Sequence, residues 1–297
     1  MHDSTKTLVT GATGDIGSIL TAILEEGGQP FRVMCRRPDQ VAAFTARGIE
    51  AVHGDFADPA SVAAALEGCD QLFLLPPFTP QMPEQAQPVI DVARDVGVRH
   101  VVKVSASDAN PGSSVPWAAN HGRVDDYLRR SGISWTLLKP GCFLNLLPQM
   151  APLIRRGLLP GSSGHGATTW IDSADIAAAA ARVLTDPTTQ GGPHERGRSY
   201  LLTGTQPLSF PQVADILSDE LGRRVRYLHV PGPLVYLGAR ARGIAHPEAR
   251  GMVNQFTVVV RRGLDNVRVY SPDLEHLLGR PAVDMPAYVR AHRAELA

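Results

Sequence analysis

The segment TLVTGATGDIGSIL, residues 7 to 20, fixes the fold class ahead of any other stretch of the chain. An apolar strand-like run ends at Gly11, further glycines follow at Gly14 and Gly17, and an amphipathic helical run begins at once. Glycine permits the tight turn and leaves room for a diphosphate, whose negative charge meets the exposed amides of a helix N-terminus. A glycine triplet alone is a weak signal. Set between a first strand and a first helix, it stands in the context that confirms it.

Downstream, short apolar runs recur with helical stretches between them: FRVMCR (31 to 36), EAVHGD (50 to 55), QLFLLPP (71 to 77), HVVKVSA (100 to 106) and SWTLLKPG (134 to 141). Alternation of this kind builds crossover units and a parallel sheet with helices on both faces. The expected fold is therefore α/β, a Rossmann-type doubly wound parallel sheet with a smaller mixed, mostly helical lobe on the substrate side. We place the dinucleotide-binding part at residues 1–150 and the lobe at 151–297, interleaved rather than independent. Near residue 150 proline and glycine thicken, and the next helix, DSADIAAAAARVL, opens with Asp172 and Asp175 in the spacing of a capping box. A strand-like SYLLTG, a helix-to-strand stretch SFPQVADILSDELGRRVRYLHV and a mostly helical tail complete the chain.

Charge narrows the partners. With 29 basic and 29 acidic residues the net charge is zero, which argues against nucleic acid and against an anionic membrane as partners and favours a small molecule. Cys35, Cys69 and Cys142 show neither a disulfide framework nor metal-ligand spacing, so no metal is expected and a reducing cytoplasm fits. No signal-peptide pattern or long apolar run is present, and the expectation is a cytoplasmic protein without a membrane span. The segment GPLVYLGARARGIAH packs either on its own chain or on a second copy, so a homodimer stays open.

The GxxGxxG spacing resembles the extended and atypical branches of the short-chain dehydrogenase/reductase superfamily. Val104 and Ser105 at the fifth strand, HGRVDDYLRRSGISWTLLKPGCF, TWIDSADIAAAAARVL and LSFPQVADIL are similar, in order and spacing, to the NmrA-like group, in particular its NAD(P)H:quinone oxidoreductase members. The resemblance implies a nicotinamide cofactor held by Gly11, Thr13, Gly14, Asp15, Ile16 and Gly17. It places Arg36 near the extra phosphate of NADP(H), which is favoured over NAD(H), because an arginine at the second strand end pairs with that phosphate where an acid would grip the NAD ribose. Asp55 and Phe56 match the pair that flanks the adenine. Leu75, Pro76, Ser105, Pro140 and Gly141 match positions lining the cofactor cleft, and Phe143 the nicotinamide side. Each also has a bland alternative: Arg37 as a solvated arginine, Asp55 as a strand end, Asp58 as a helix cap, the others as loop packing.

One departure stands out. Ketone-reducing members carry a tyrosine and, four residues on, a lysine, a spacing that puts both on one helix face. Here Trp117 and His121 occupy those positions. Tyr127 lies six residues past His121, on another side of the helix. Indole N–H does not ionise near neutral pH, so Trp117 can shape a substrate site but cannot act as an acid. His121 can donate a proton or a hydrogen bond, and Ser105 can contact a substrate oxygen; a polar helix head and a strand-end cap are their structural alternatives. Further departures are PGCFLNL, with Asn145 and Leu146 where family members often read PGFFMEN, and His165 and Ala167 in GSSGHGA where an acid and a lysine are frequent. Apolar Phe78, Trp117, Leu146 and Leu147 could surround a flat, apolar conjugated ligand. The implied activity is hydride transfer from NADPH to a quinone, an enone or a related conjugated carbonyl or imine, whose reduced anion needs no dedicated tyrosine. The alternatives are a non-catalytic NAD(P)-sensing regulator and a cofactor-dependent isomerase or epimerase.

Overall fold

The computed structural model describes residues 5–190 and 196–297, which divide into two compact units. The first comprises Met1–Ser105, Asn120–Lys139 and Ile176–Tyr200; the second comprises Ala106–Ala119, Pro140–Asp175 and Leu201–Ala297.

The first unit is built from alternating strands and helices: β1 (Thr7–Val9), α1 (Asp15–Glu26), β2 (Phe31–Cys35), α2 (Pro38–Ala46), β3 (Ala51–His53), α3 (Pro59–Leu66), β4 (Gln71–Leu74), α4 (Met82–Asp95) and β5 (His100–Val104). Helix α5 (Pro116–Arg130) and strand β6 (Ser134–Pro140) follow in the chain. A last strand, Gly197–Leu202, closes a seven-stranded sheet in the order last strand, β6, β5, β4, β1, β2, β3. Neighbours run parallel from β3 to β6, and the amide of Trp135 bonding Arg196 starts the last strand alongside. This is the doubly wound order expected from the sequence, and its reversal beside β1 places a crevice at the strand ends.

Burial explains why the strands read as they do. Every residue of β4 and β5 is buried, as in strands covered on both faces. One core layer joins Leu8, Leu72, Leu74, Val101 and Leu137 of the sheet to Val62, Leu66, Ile90, Val124 and Leu128 of the helices. Helix α1 buries Ile16, Gly17, Leu20, Thr21 and Leu24, one stripe at helical spacing, and carries Asp15 in its first turn, where a negative charge suits the helix dipole.

The second unit holds a three-stranded sheet in which Ala167–Ile171 lies between Cys142–Phe143, parallel to it, and Pro207–Ser209, antiparallel to it. A two-stranded parallel ribbon pairs Leu158–Gly161 with Arg226–His229. Its core gathers Leu147, Trp170, Phe210, Leu217, Tyr288 and Val289. The helix Phe210–Leu221 opens with a complete capping box between Ser209 and Gln212. The box expected of Asp172 and Asp175 is only half present. Asp172 caps Ala174, but the Asp175 carboxylate turns instead to Arg280 at 2.8 Å and the Val283 amide at 2.7 Å, pinning the tail. Among the described residues no helix is long and apolar enough to cross a membrane.

Candidate active site

The glycine loop is shaped by contacts that only glycine allows. Gly11 sits at φ +67°, in the left-handed region. A Cβ on Gly17 would lie 2.1 Å from the Gly11 carbonyl oxygen, so helix α1 and the loop can approach this closely only without a side chain there. The Gly14 amide donates to the Gly11 carbonyl at 3.0 Å, and the loop thereby delivers the chain into α1. Thr10 ties the loop to the end of β4: its hydroxyl donates to the Phe73 carbonyl at 2.9 Å and accepts from the Leu75 amide at 3.0 Å.

Beside this loop lies a cavity of about 400 Å³, lined by residues of the loop and of the ends of β2, β3 and β4. Gly11, Thr13, Arg36, Asp55, Phe56 and Leu75, all expected from the sequence, line it. So do Cys35, Gln40, Thr79 and Gln85, which the sequence reading missed because nothing in their type or spacing sets them apart. Gln40 reaches from α2 to the Thr13 hydroxyl at 3.4 Å. Gly14, Asp15, Ile16 and Gly17 form the first turn of α1 and its approach; Pro76 is buried.

The two arginines at the end of β2 separate cleanly. Arg37 grips Asp39 through two hydrogen bonds, one of 3.0 Å from its Nε. Arg36 is exposed, lines the cavity and has no hydrogen-bond or ion-pair partner among the described residues. Asp55 accepts from the Ala57 amide at 3.0 Å through one carboxylate oxygen, and Asp58 caps α3 by accepting from Ala60 at 3.1 Å. The glycine loop closed onto the start of α1, with Gly11 and Thr13 lining the cavity, and the unpaired guanidinium of Arg36 both fit a phosphorylated dinucleotide.

A second polar group lies inside the same unit, between β5 and α5. Lys103 Nζ donates to Asp125 Oδ1 at 2.7 Å, and Ser105 Oγ donates to Asp125 Oδ2 at 2.6 Å. The same ammonium stands 3.2 Å from His121 Nδ1 and 3.4 Å from the Val104 carbonyl. The Lys103 side chain is fully buried and Asp125 nearly so, whereas His121 keeps partial exposure. Burial lowers the pKa of Lys103 against the opposing pull of Asp125. Burial pushes the Asp125 carboxyl up, and the Lys103 ammonium with the two hydrogen bonds outweighs it, leaving the carboxyl below its ordinary value. His121 is held at about 3, first by burial of its ring and then by the Lys103 charge. It is neutral at physiological pH.

His121 and Ser105, expected from the sequence, are thus brought into one cluster, but Ser105 has committed its hydroxyl proton to Asp125. Lys103 and Asp125 went unrecognised. The available signals were a lone lysine inside the apolar run HVVKV and an aspartate one helical turn after His121. Tyr127 points away from the cluster, donating to Asp91 of α4 at 2.6 Å.

The remaining expected residues, Phe78 apart, belong to the second unit. Trp117 packs against the cluster of Val115, Ala118, Val259 and Val267 and against Gly251. Gly141 approaches Thr169 so closely that a Cβ would sit 2.5 Å from its hydroxyl oxygen. Pro140 is buried, Phe143 is half-buried in its short strand, Leu147 is a core residue, Leu146 packs on that core, and His165 is exposed. Phe78, in the first unit, is 74% exposed.

Known proteins resemble this chain in sequence and in fold. A family model described as NAD(P)H-binding matches residues 11–187, more than half of the chain. An NAD(P)H azoreductase of Xenophilus azovorans is 32% identical over 288 residues, covering 97% of this chain and 98% of its own length. The solved structure of an NADPH-dependent quinone oxidoreductase of Escherichia coli in complex with NADPH superposes with a TM-score of 0.85 at 27% identity, covering 97% of this chain and 99% of that one. A mutant form of NmrA, at 20% identity and a TM-score of 0.75 over 97% of this chain and 95% of its own, shares the fold.

Proposed function

The chain belongs to the NAD(P)H-binding family, and we propose that this NAD(P)H-dependent oxidoreductase, similar to the NmrA-like group, passes hydride from NADPH to a quinone, an enone or a related conjugated carbonyl or imine. The observation that carries the cofactor half is Arg36, unpaired at the mouth of a cavity whose other wall is the Gly11–Gly17 loop. An unpaired guanidinium at the second strand end suits a 2′-phosphate, and the absence of an acid there removes the usual partner of the NAD ribose.

When bound, the cofactor supplies the hydride, and the protein supplies binding and orientation. Gly11, Thr13, Gly14, Asp15, Ile16 and Gly17 would hold the diphosphate, with Asp55 and Phe56 beside the adenine and Leu75, Pro76 and Ser105 farther along the same unit. By the family resemblance Trp117 and His121 take the sequence positions of the tyrosine and lysine of ketone reductases, and neither is a phenol. An acceptor that becomes a delocalised anion on receiving hydride fits such a site, because that anion accepts a proton from a weak donor. The azoreductase and quinone oxidoreductase relatives are named for acceptors of this electronic type.

The test is a panel of quinones, enones, azo compounds and simple ketones incubated with protein and NADPH while the reduced-nicotinamide absorbance is followed. Turnover of conjugated acceptors with none on simple ketones is expected. Tight NADPH binding with no turnover on any acceptor would contradict the reading.

A further inference from the structure

The buried group between β5 and α5 is more than a structural ion pair with a histidine beside it. We propose that Lys103, held by Asp125, fixes the proton of His121 on Nε2 and refills the ring through Nδ1 when that proton is given up. Lys103 is a positioning residue that acts through His121.

The argument starts from hydrogen-bond inventory. An ammonium has three protons to donate and no lone pair to accept with. Lys103 Nζ spends its donors on Asp125 Oδ1, the Val104 carbonyl and His121 Nδ1. At 3.2 Å the imidazole nitrogen facing it must therefore present its lone pair. A neutral ring with a bare Nδ1 carries its one proton on Nε2. Asp125 holds the lysine in place and is itself saturated on the other side by the Ser105 hydroxyl. The pair is closed to solvent, and His121 is the most exposed of the four residues, so it is the member through which the pair can serve a bound molecule.

This arrangement answers the missing tyrosine. A neutral imidazole is a poor acid by itself, but the two ring nitrogens can act together. The Nε2–H bond breaks and its proton goes to the oxygen or nitrogen of the reduced, anionic acceptor; a Lys103 N–H bond breaks and its proton forms the new Nδ1–H bond. His121 ends as the other neutral tautomer and Lys103 as a neutral amine; after product leaves, a proton from water forms the Nε2–H bond while the Nδ1–H bond breaks and its proton returns to Lys103, which restores both the ammonium and the starting tautomer and leaves hydroxide in the solvent. The charged groups facing this path are Asp125, which steadies the ammonium, and more distantly Arg129 and Lys139, which favour its giving up a proton. The tautomer half stands on geometry alone; the delivery half rests on the reductase reading above.

Histidine-labelled protein without cofactor tests the first half. In the ¹⁵N spectrum, with the resonance assigned through His121→Asn, His121 is expected to show a protonated Nε2 and a bare Nδ1, and Lys103→Met is expected to give a mixture of tautomers. A proton on Nδ1 in the unmodified protein, or a Lys103→Met spectrum unchanged from it, would overturn the proposal. Lys103→Arg tests the second half: arginine donates equally but does not release its proton. Its ring tautomer should match the unmodified protein, while turnover of a quinone falls at least 10-fold with the affinity for NADPH unchanged by calorimetry. Full turnover in Lys103→Arg would remove the delivery step. If the unmodified protein binds NADPH but turns over no acceptor, the reductase reading and the delivery step fall together, and the tautomer assignment still stands or falls on the spectrum.

Discussion

The two functional regions of the first unit are built in opposite ways. The cavity beside Gly11 is open and leaves one of its lining charges, Arg36, unpaired. The cluster at Lys103 is made of side chains, is closed, and pairs every charge within it. A cleft that must receive a charged ligand gains by leaving a guanidinium in water, where desolvation costs little until the ligand arrives. A cluster that must hold a proton in one place gains by excluding water, because a low dielectric strengthens each remaining contact.

Removing a partner from the closed region should do the most damage. Asp125→Ala leaves a buried ammonium uncompensated and is expected to cost about 3–5 kcal/mol of stability, read from urea unfolding, whereas Lys103→Met with Asp125→Leu should recover most of that loss. A double variant as unstable as the single one would mean that the cluster's contribution is not its charge pairing.

Next in size is the glycine loop. Gly17→Ala pushes a Cβ into backbone atoms of Gly11 and Ala12 within 2.1–2.9 Å, so NADPH affinity should fall about 100-fold, near 2.7 kcal/mol. Gly14→Ala, whose Cβ would meet nothing closer than 3.5 Å, should lose far less. Equal calorimetric affinities for the two variants would break the assignment of the loop.

Acid should act on the closed interior before it acts on the open cleft. His100, 3% exposed and bonded to Ser134 and Thr136 at 2.9 and 3.0 Å, has its pKa lowered by burial to about 4. Above the unfolded value near 6.5 both states are neutral and the term vanishes; as pH falls from there toward 4 only the unfolded chain takes up the proton, so stability is lost across that window. Near pH 5 the loss is about 2 kcal/mol, and His100→Asn should reduce the acid dependence by that amount. An unchanged pH slope would show that the ring is solvated in the native protein.

The smallest effect separates the arginines. Arg36→Ala is expected to weaken NADPH about 10-fold, near 1.4 kcal/mol, while leaving NADH unchanged. Arg37→Ala should change neither, since that side chain is already engaged with Asp39. NADPH and NADH binding equally well to the unmodified protein would reverse the cofactor preference.

The contrast between the regions also explains what could be read in advance. The glycine loop and Arg36 are local: a strand, three glycines and a strand end lie within 30 residues, and backbone geometry writes itself into glycine spacing. The parallel sheet was equally legible from its apolar runs. Lys103 and Asp125 are 22 residues apart and meet only because α5 packs back beside β5, so no spacing rule joins them. A lone lysine in the apolar run HVVKV and an aspartate one helical turn after His121 were the traces of that cluster. The Asp175 carboxylate shows the same limit, since its partners Arg280 and Val283 lie more than 100 residues away and took it out of the box its local spacing suggested.

Everything rests on hydride leaving a cofactor held by the Gly11 loop and reaching a conjugated acceptor. The most direct measurement is stopped-flow oxidation of NADPH bearing deuterium on one or the other face of nicotinamide C4, with a quinone as acceptor. Slowing by deuterium on one face and not on the other is the expected result; NADPH oxidation indifferent to both labels, or none at all with bound NADPH, would contradict it.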